Sequence, residues 1–164
     1  MAGQIVNQPQ TDTPGTPVVV LNVNTTSKAT TGTSEEVLAT YTLPANTLSA
    51  NGKAIRVTAW GESAANANAK VVRIRFGGIA AAWTASFSTT ASGAAWSISS
   101  VIIRTGAATQ VSIGSGSASP SGQTLVSAAP TATLSSAVDI VVTGLTATAS
   151  GDVTFKGLIV EALN

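Results

Sequence analysis

Seven carboxylates, Asp12, Glu35, Glu36, Glu62, Asp139, Asp152 and Glu161, are the side chains here best suited to general acid or base work, because the chain has no histidine. Cysteine is absent as well, so the Ser-His-Asp triad, the Cys-His pair and the usual zinc centres have no residues to build them. Two carboxylates facing each other across a cleft would suit glycoside hydrolysis, but their ordinary place is a solvated turn or strand edge. Calcium favours carboxylate and amide oxygens, which makes Glu62, Asn66, Asn68 and Asp152 the candidate ligands, although the spacing is not that of an EF-hand. Arg56, Arg73, Arg75 and Trp60 form a second group, a basic stripe with an aromatic neighbour. It suits an interface, and ion pairs to Glu62 or to a partner's carboxylates are its ordinary outcome. Trp60, Trp83 and Trp96 could stack on sugar rings, a use that competes with the commoner one of anchoring a core or subunit contact. No phosphate-binding loop is present, and "GSGSASPSG" (114–122) lacks the strand-to-helix setting of a dinucleotide site. Nothing calls for a cofactor, and the chain reads as non-enzymatic.

The elements that must position these residues are strands. No stretch shows an apolar stripe at helical period, whereas short segments rich in β-branched residues recur between turn signals. They are "VVVLNV" (18–23), "VLATYTL" (37–43), "AIRVTAW" (54–60), "KVVRIRF" (70–76), "AAWTASF" (81–87), "AWSISSVIIR" (95–104), "TQVSIG" (109–114), "VDIVVTG" (138–144) and "DVTFKGLIVEAL" (152–163). That pattern predicts an all-β fold, a single antiparallel β-sandwich of jelly-roll type, with an immunoglobulin-like strand order giving much the same pattern. Alternation places Ile55, Val57 and Ala59 on one face and Arg56, Thr58 and Trp60 on the other. It likewise sets Val72, Ile74 and Phe76 against Arg73 and Arg75. Val153, Phe155 and Ile159 are expected to share a face, with Gly157 marking a bulge or a close backbone approach. "AWGESAANANAKVVRIRFGG" (59–78) reads as a hairpin whose tip carries Asn66 and Asn68, residues that bond local backbone in turns. Further turns are expected at "SANGK" (49–53) and "FGGI" (76–79), with an exposed loop at "SGSASPSGQ" (115–123).

Only 9% of the residues are charged and the formal net charge is +1, with no run of one sign to hold nucleic acid. The apolar runs fall far short of the ~20 residues that span a bilayer. The first residues, "MAGQIVNQPQTDTPGTP", have no secretory pattern, so the expected site of synthesis is a cytoplasm. Residues 1–17 carry Pro9, Pro14, Pro17 and Gly15 and resist helix. They read as an extended arm reaching a neighbouring subunit or as an unstructured tail, with residues 18–164 forming the sandwich domain.

The segment "LATYTLPANTLSANGKAIRVTAWGESAANANAKVVRIRFGG" (38–78) resembles a recurrent segment of tailed-bacteriophage virion proteins. There a "tLPAnTLsanGk" stretch leads into an "iRvtAwG" strand, an Asn/Ala-rich hairpin and an "fGG" turn. "FKGLIVEAL" (155–163) looks like the closing strand of the same domains. The resemblance implies a β-sandwich of the virion surface, assembled as a homotrimer. One expectation that follows is a decoration, or cement, protein on the outer head surface, bound to the major capsid protein through arm residues Ile5, Val6, Pro9, Pro14 and Pro17. The alternative is a receptor-binding domain at a tail-fibre tip that holds a host glycan.

Overall fold

The structure, a computed structural model, describes residues 18–78, 82–89, 94–118, 123–146 and 151–163. Among the described residues there are eleven strands: β1 (Val19–Asn24), β2 (Lys28–Ala29), β3 (Glu36–Leu43), β4 (Ala54–Ser63), β5 (Asn66–Phe76), β6 (Ala82–Thr89), β7 (Ala94–Gly106), β8 (Thr109–Ala118), β9 (Gln123–Ala128), β10 (Val138–Thr146) and β11 (Val153–Ala162). They make two antiparallel sheets. Sheet A runs β1-β11-β4-β7-β8-β9, with the short β2 also on β11, and sheet B runs β3-β10-β5-β6.

Set aside β2, β8 and β9, and the remaining eight strands follow the jelly-roll path. The chain alternates between the sheets on the way in, turns back through β5 and β6, and alternates on the way out. The immunoglobulin-like order is excluded by this path. The β8–β9 hairpin is an addition between β7 and β10 that widens sheet A. Between the sheets lies one apolar core, in which Ile55, Val57, Val72, Ile74, Ile98, Ile140, Phe155 and Leu158 are fully enclosed. The alternation in β4 and β5 builds it directly, because the odd residues of β4 and the even residues of β5 point inward from opposite sheets.

Three expectations need correction. Residues 59–78 are not a hairpin: β4 lies in sheet A and β5 in sheet B, and the chain crosses between them at residues 64–65. Ile55, Val57 and Ala59 of β4 and Val72, Ile74 and Phe76 of β5 make apolar inward faces, so the two strands bury more surface packed face to face than paired side by side. The same small and amide residues serve a crossover as serve a tight turn. The second correction concerns Ile159, which does not share the face of Val153 and Phe155. A bulge between Phe155 and Gly157 reverses the alternation, so Leu158 and Val160 point inward beside Ala59 and Val57 while Ile159 stands opposite Thr58 on the outer surface. Finally, the described residues of 115–123 lie in strands. Ser115 to Ala118 extend β8, and Gln123 opens β9. Small inward residues at Gly114, Gly116 and Ala118 leave room for β6 to pack against β8.

Candidate functional site

The crossover from β4 to β5 gathers a buried polar cluster. Asn66 pairs with Thr89 and Lys70 with Phe87, so β5 carries extra residues between these positions and the strand buckles. The buckle turns Lys70 back beneath its own strand, where it is fully buried. Its ammonium donates to Asn66 O at 2.9 Å, Asn66 Oδ1 at 2.9 Å and Asn68 O at 3.1 Å. The two amide side chains then reach outward to one carboxylate. Asn66 Nδ2 donates to Asp152 Oδ1 at 2.7 Å and Asn68 Nδ2 to Asp152 Oδ2 at 2.8 Å. Asp152 is itself 2% exposed, and its backbone carbonyl accepts from Ala64 N across the crossover.

Three of the four residues expected to hold calcium therefore meet. Glu62 does not join them; it lies on the outer face, 3.5 Å from Lys156 Nζ. The positive charge at the centre belongs to Lys70, which sequence reasoning passed over as the first residue of a strand. Among the described residues, no three carboxylates gather as a metal site.

The basic stripe is divided between the two sheets, because the crossover carries β5 away from β4. Arg56 stands on the outer face of sheet A, 3.5 Å from Glu161. Arg73 and Arg75 stand on the outer face of sheet B and converge on Glu35, with Arg75 Nη2 at 2.7 Å and Arg73 Nη1 at 3.1 Å. Thr143 Oγ1 adds a 2.6 Å hydrogen bond to the same carboxylate. Burial pushes the Glu35 carboxyl upward, but the Thr143 hydroxyl and the two guanidiniums outweigh it and hold the group below the ordinary carboxylate range. Glu36 is also lowered, by the Thr31 hydroxyl and the Thr31 and Gly32 amides that it accepts.

A carboxyl lowered in the folded state stabilises the fold above its unfolded value and loses that contribution as pH falls through the folded value. The thermal midpoint should therefore fall on acidification from about pH 6 to pH 3, and Glu35→Gln should make that fall shallower while lowering the midpoint at pH 7. Parallel acid titrations of the two proteins by circular dichroism would check both effects.

The remaining carboxylates serve local structure: Asp139 accepts from Thr42 Oγ1 at 2.7 Å, and Glu161 faces Arg56. Of the tryptophans, Trp96 is a core residue, 1% exposed, with its Nε1 donating to Glu62 O at 3.1 Å. Its ring covers Gly61, where an added Cβ would sit 2.5 Å from Cζ2. Trp60 is half-buried on the outer face of sheet A, with its ring laid over Gly157. That is the close approach expected at Gly157, and it coincides with the bulge. The side chain of Trp83, Asp12 and the arm residues Ile5, Val6, Pro9, Pro14 and Pro17 lie outside the described residues.

Two surfaces went unnoticed in the sequence. On the outer face of sheet A, Val101 lies opposite Ile113 and Ile103 opposite Val111, flanked by Ser97, Ser99, Ser115 and Ser117. No charged side chain points outward from these two strands between Ala95 and Ile103 or between Val111 and Ser117. At the edge of the same sheet, β1 and the residue before it display Val18, Val19, Val20 and Val23. Val101 is half-buried, and the exposure of the other apolar side chains named on the two surfaces runs from 37% at Ile103 to 59% at Val23. Natural edge strands commonly carry lysine, proline or a charge that discourages pairing, and residues 18–24 carry none.

Fold and site together define a jelly-roll β-sandwich with a widened sheet, a buried ammonium cluster and exposed apolar faces. No family model matches the chain, and no curated protein matches it. Among solved structures it is similar to the CBM2 module of Lactobacillus casei BL23 phage J-1 evolved Dit, at 8% identity and a TM-score of 0.40, over 76% of this chain and 69% of that one. A similarity of that degree carries no argument about function.

Proposed function

We propose that this chain is a non-enzymatic structural protein of a tailed-phage virion, a decoration protein that sits on the outer head surface as a homotrimer and braces the major capsid protein. The observation that carries this reading is the exposed, uncharged apolar surface of sheet A. Contiguous apolar patches on soluble proteins mark contact sites, and this one has no charge to direct a soluble ligand. The resemblance of residues 38–78 to phage virion segments supports the virion setting. In this reading the contacts among copies come from the faces just described, and residues 1–17 reach across neighbouring capsid subunits. The work done is binding energy set against the outward pressure of packaged DNA.

A second reading, a receptor-binding domain at a tail-fibre tip, draws on Trp60, a half-exposed aromatic ring on a sheet face beside Thr58 and Ser97. Immunogold labelling of intact virions separates the two. Label over the head supports decoration, label confined to the tail supports the adhesin, and unlabelled virions remove both.

The outer face is also testable alone. Burying a valine or isoleucine is worth about 1.5–3 kcal/mol, so Val111→Asp with Ile113→Asp is expected to weaken association among copies more than tenfold. Both side chains point away from the core, so the folded spectrum should be unchanged. Light scattering coupled to size exclusion would read the first effect and circular dichroism the second.

A further inference from the structure

We propose that the β4–β5 crossover is a binding site for an ammonium-sized monovalent cation, and that Lys70 fills it as a cation tethered to the chain. The evidence is the match between donors and acceptors. A lysine ammonium has three N–H donors, and this one meets three carbonyl oxygens at 2.9, 2.9 and 3.1 Å with no exposure to solvent. Those oxygens converge because β5 is irregular between Asn66 and Lys70, which turns the Asn66 and Asn68 carbonyls toward a single point.

The charge balance is indirect. Asp152 does not touch the ammonium; each of its oxygens takes an N–H from one asparagine amide. Holding Asn66 Nδ2 on the carboxylate fixes that amide's orientation and leaves Oδ1 aimed at Lys70. The site as a whole is neutral, one cation and one anion joined through the Asn66 amide, while Asn68 reaches the ammonium with its backbone carbonyl and the carboxylate with its side chain. Emptied of its cation, it would keep three carbonyl oxygens turned inward beside a buried carboxylate, and unmet buried acceptors are costly.

The same geometry defines which free ion would fit. Calcium takes six to eight oxygens at about 2.3–2.6 Å, carboxylates prominent among them. This cluster offers three neutral oxygens spaced for longer contacts, and its carboxylate is already committed to amides. Potassium, ammonium and methylammonium belong to the class that fits. The native chain carries its own occupant, so its stability should not respond to the identity of the free cation.

The test is Lys70→Ala, which removes the ammonium and most of its stem. Thermal midpoints would be measured in potassium chloride, methylammonium chloride and choline chloride at equal ionic strength. Potassium and methylammonium are expected to raise the midpoint of the variant by several degrees over choline, while the native protein melts at one temperature in all three and is unmoved by EDTA. Equal midpoints for the variant in the three salts would overturn the proposal. If the variant does not fold in choline, recovery of its β-spectrum in potassium or methylammonium is the expected result, and no recovery overturns the proposal equally. Lys70→Met keeps the stem and fills the space without charge, so it should show no preference among the salts. A preference there would place the responding site elsewhere and defeat the assignment.

Discussion

Replacing Trp96 with alanine is expected to lower the free energy of unfolding by about 4 kcal/mol, the middle of the range for deleting a buried aromatic ring. Trp96 is among the largest fully buried side chains and lies near the centre of sheet A, where β7 pairs with β4. Its removal acts twice. The core loses the ring that rests on Gly61, and Glu62 O loses the indole N–H that it accepts. Trp96→Phe keeps an aromatic ring and gives up the hydrogen bond, so it should cost distinctly less. Urea unfolding followed by far-ultraviolet circular dichroism would rank the two variants, and an alanine variant within 1 kcal/mol of the native protein would contradict the packing described. Gly61→Ala probes the same contact from the other side. There the new methyl would meet both the ring and the Thr154 carbonyl, which is backbone and cannot swing away.

The second large effect is expected at Asp152. Asp152→Ala leaves two asparagine N–H groups without their acceptor and a buried ammonium without its counter-charge, a class of change that costs about 3–5 kcal/mol. Asp152→Asn should fall between the variant and the native protein, because one amide oxygen still accepts while the opposing NH₂ meets another donor. The measurement is again the urea midpoint, read together with the slope, since an unchanged slope assigns the loss to the folded state. Equal costs for the two substitutions would mean that the surviving amide oxygen does little and that the lost negative charge accounts for the effect.

Strand positions were readable wherever one face is apolar and the other polar. β4 and β5 show that alternation almost without exception, and so their inward residues were correctly placed. What local pattern does not carry is the sheet to which each strand belongs. The crossover at residues 64–65 uses the residues of a tight turn, which made partners of two strands that face each other through the core and spread Arg56, Arg73 and Arg75 over one imagined surface. Parity fails for a similar reason at Gly157: the glycine signalled a bulge, but only the pairing shows that the bulge reverses every residue after it. The end of β8 was concealed because Ser115, Gly116 and Ser117 look like loop, although small inward residues such as Gly116 are what the close approach of β6 requires. At the candidate site the oxygen donors were legible as a class. Lys70 was not, since a lysine at a strand end is ordinarily a solvated one, and only the irregular pairing of β5 turns it inward.

The pairing of the first strand with the last also governs when this protein can fold. Val19 stands opposite Ala162, and β11 is an interior strand of sheet A, flanked by β1 on one side and β4 on the other. β11 is made after both β1 and β4, so sheet A remains split until residues 153–162 have left the ribosome. Until then β4 presents an open edge, and the exposed valines of β1 have no neighbour to pair with. Closure of sheet A is therefore a late step, slow as long-range β pairing is slow, and the chain is most open to aggregation before β11 is in place. A chain that stops short of β11 would lack the strand that joins β1 to β4, which makes β11 a built-in check on the integrity of sheet A.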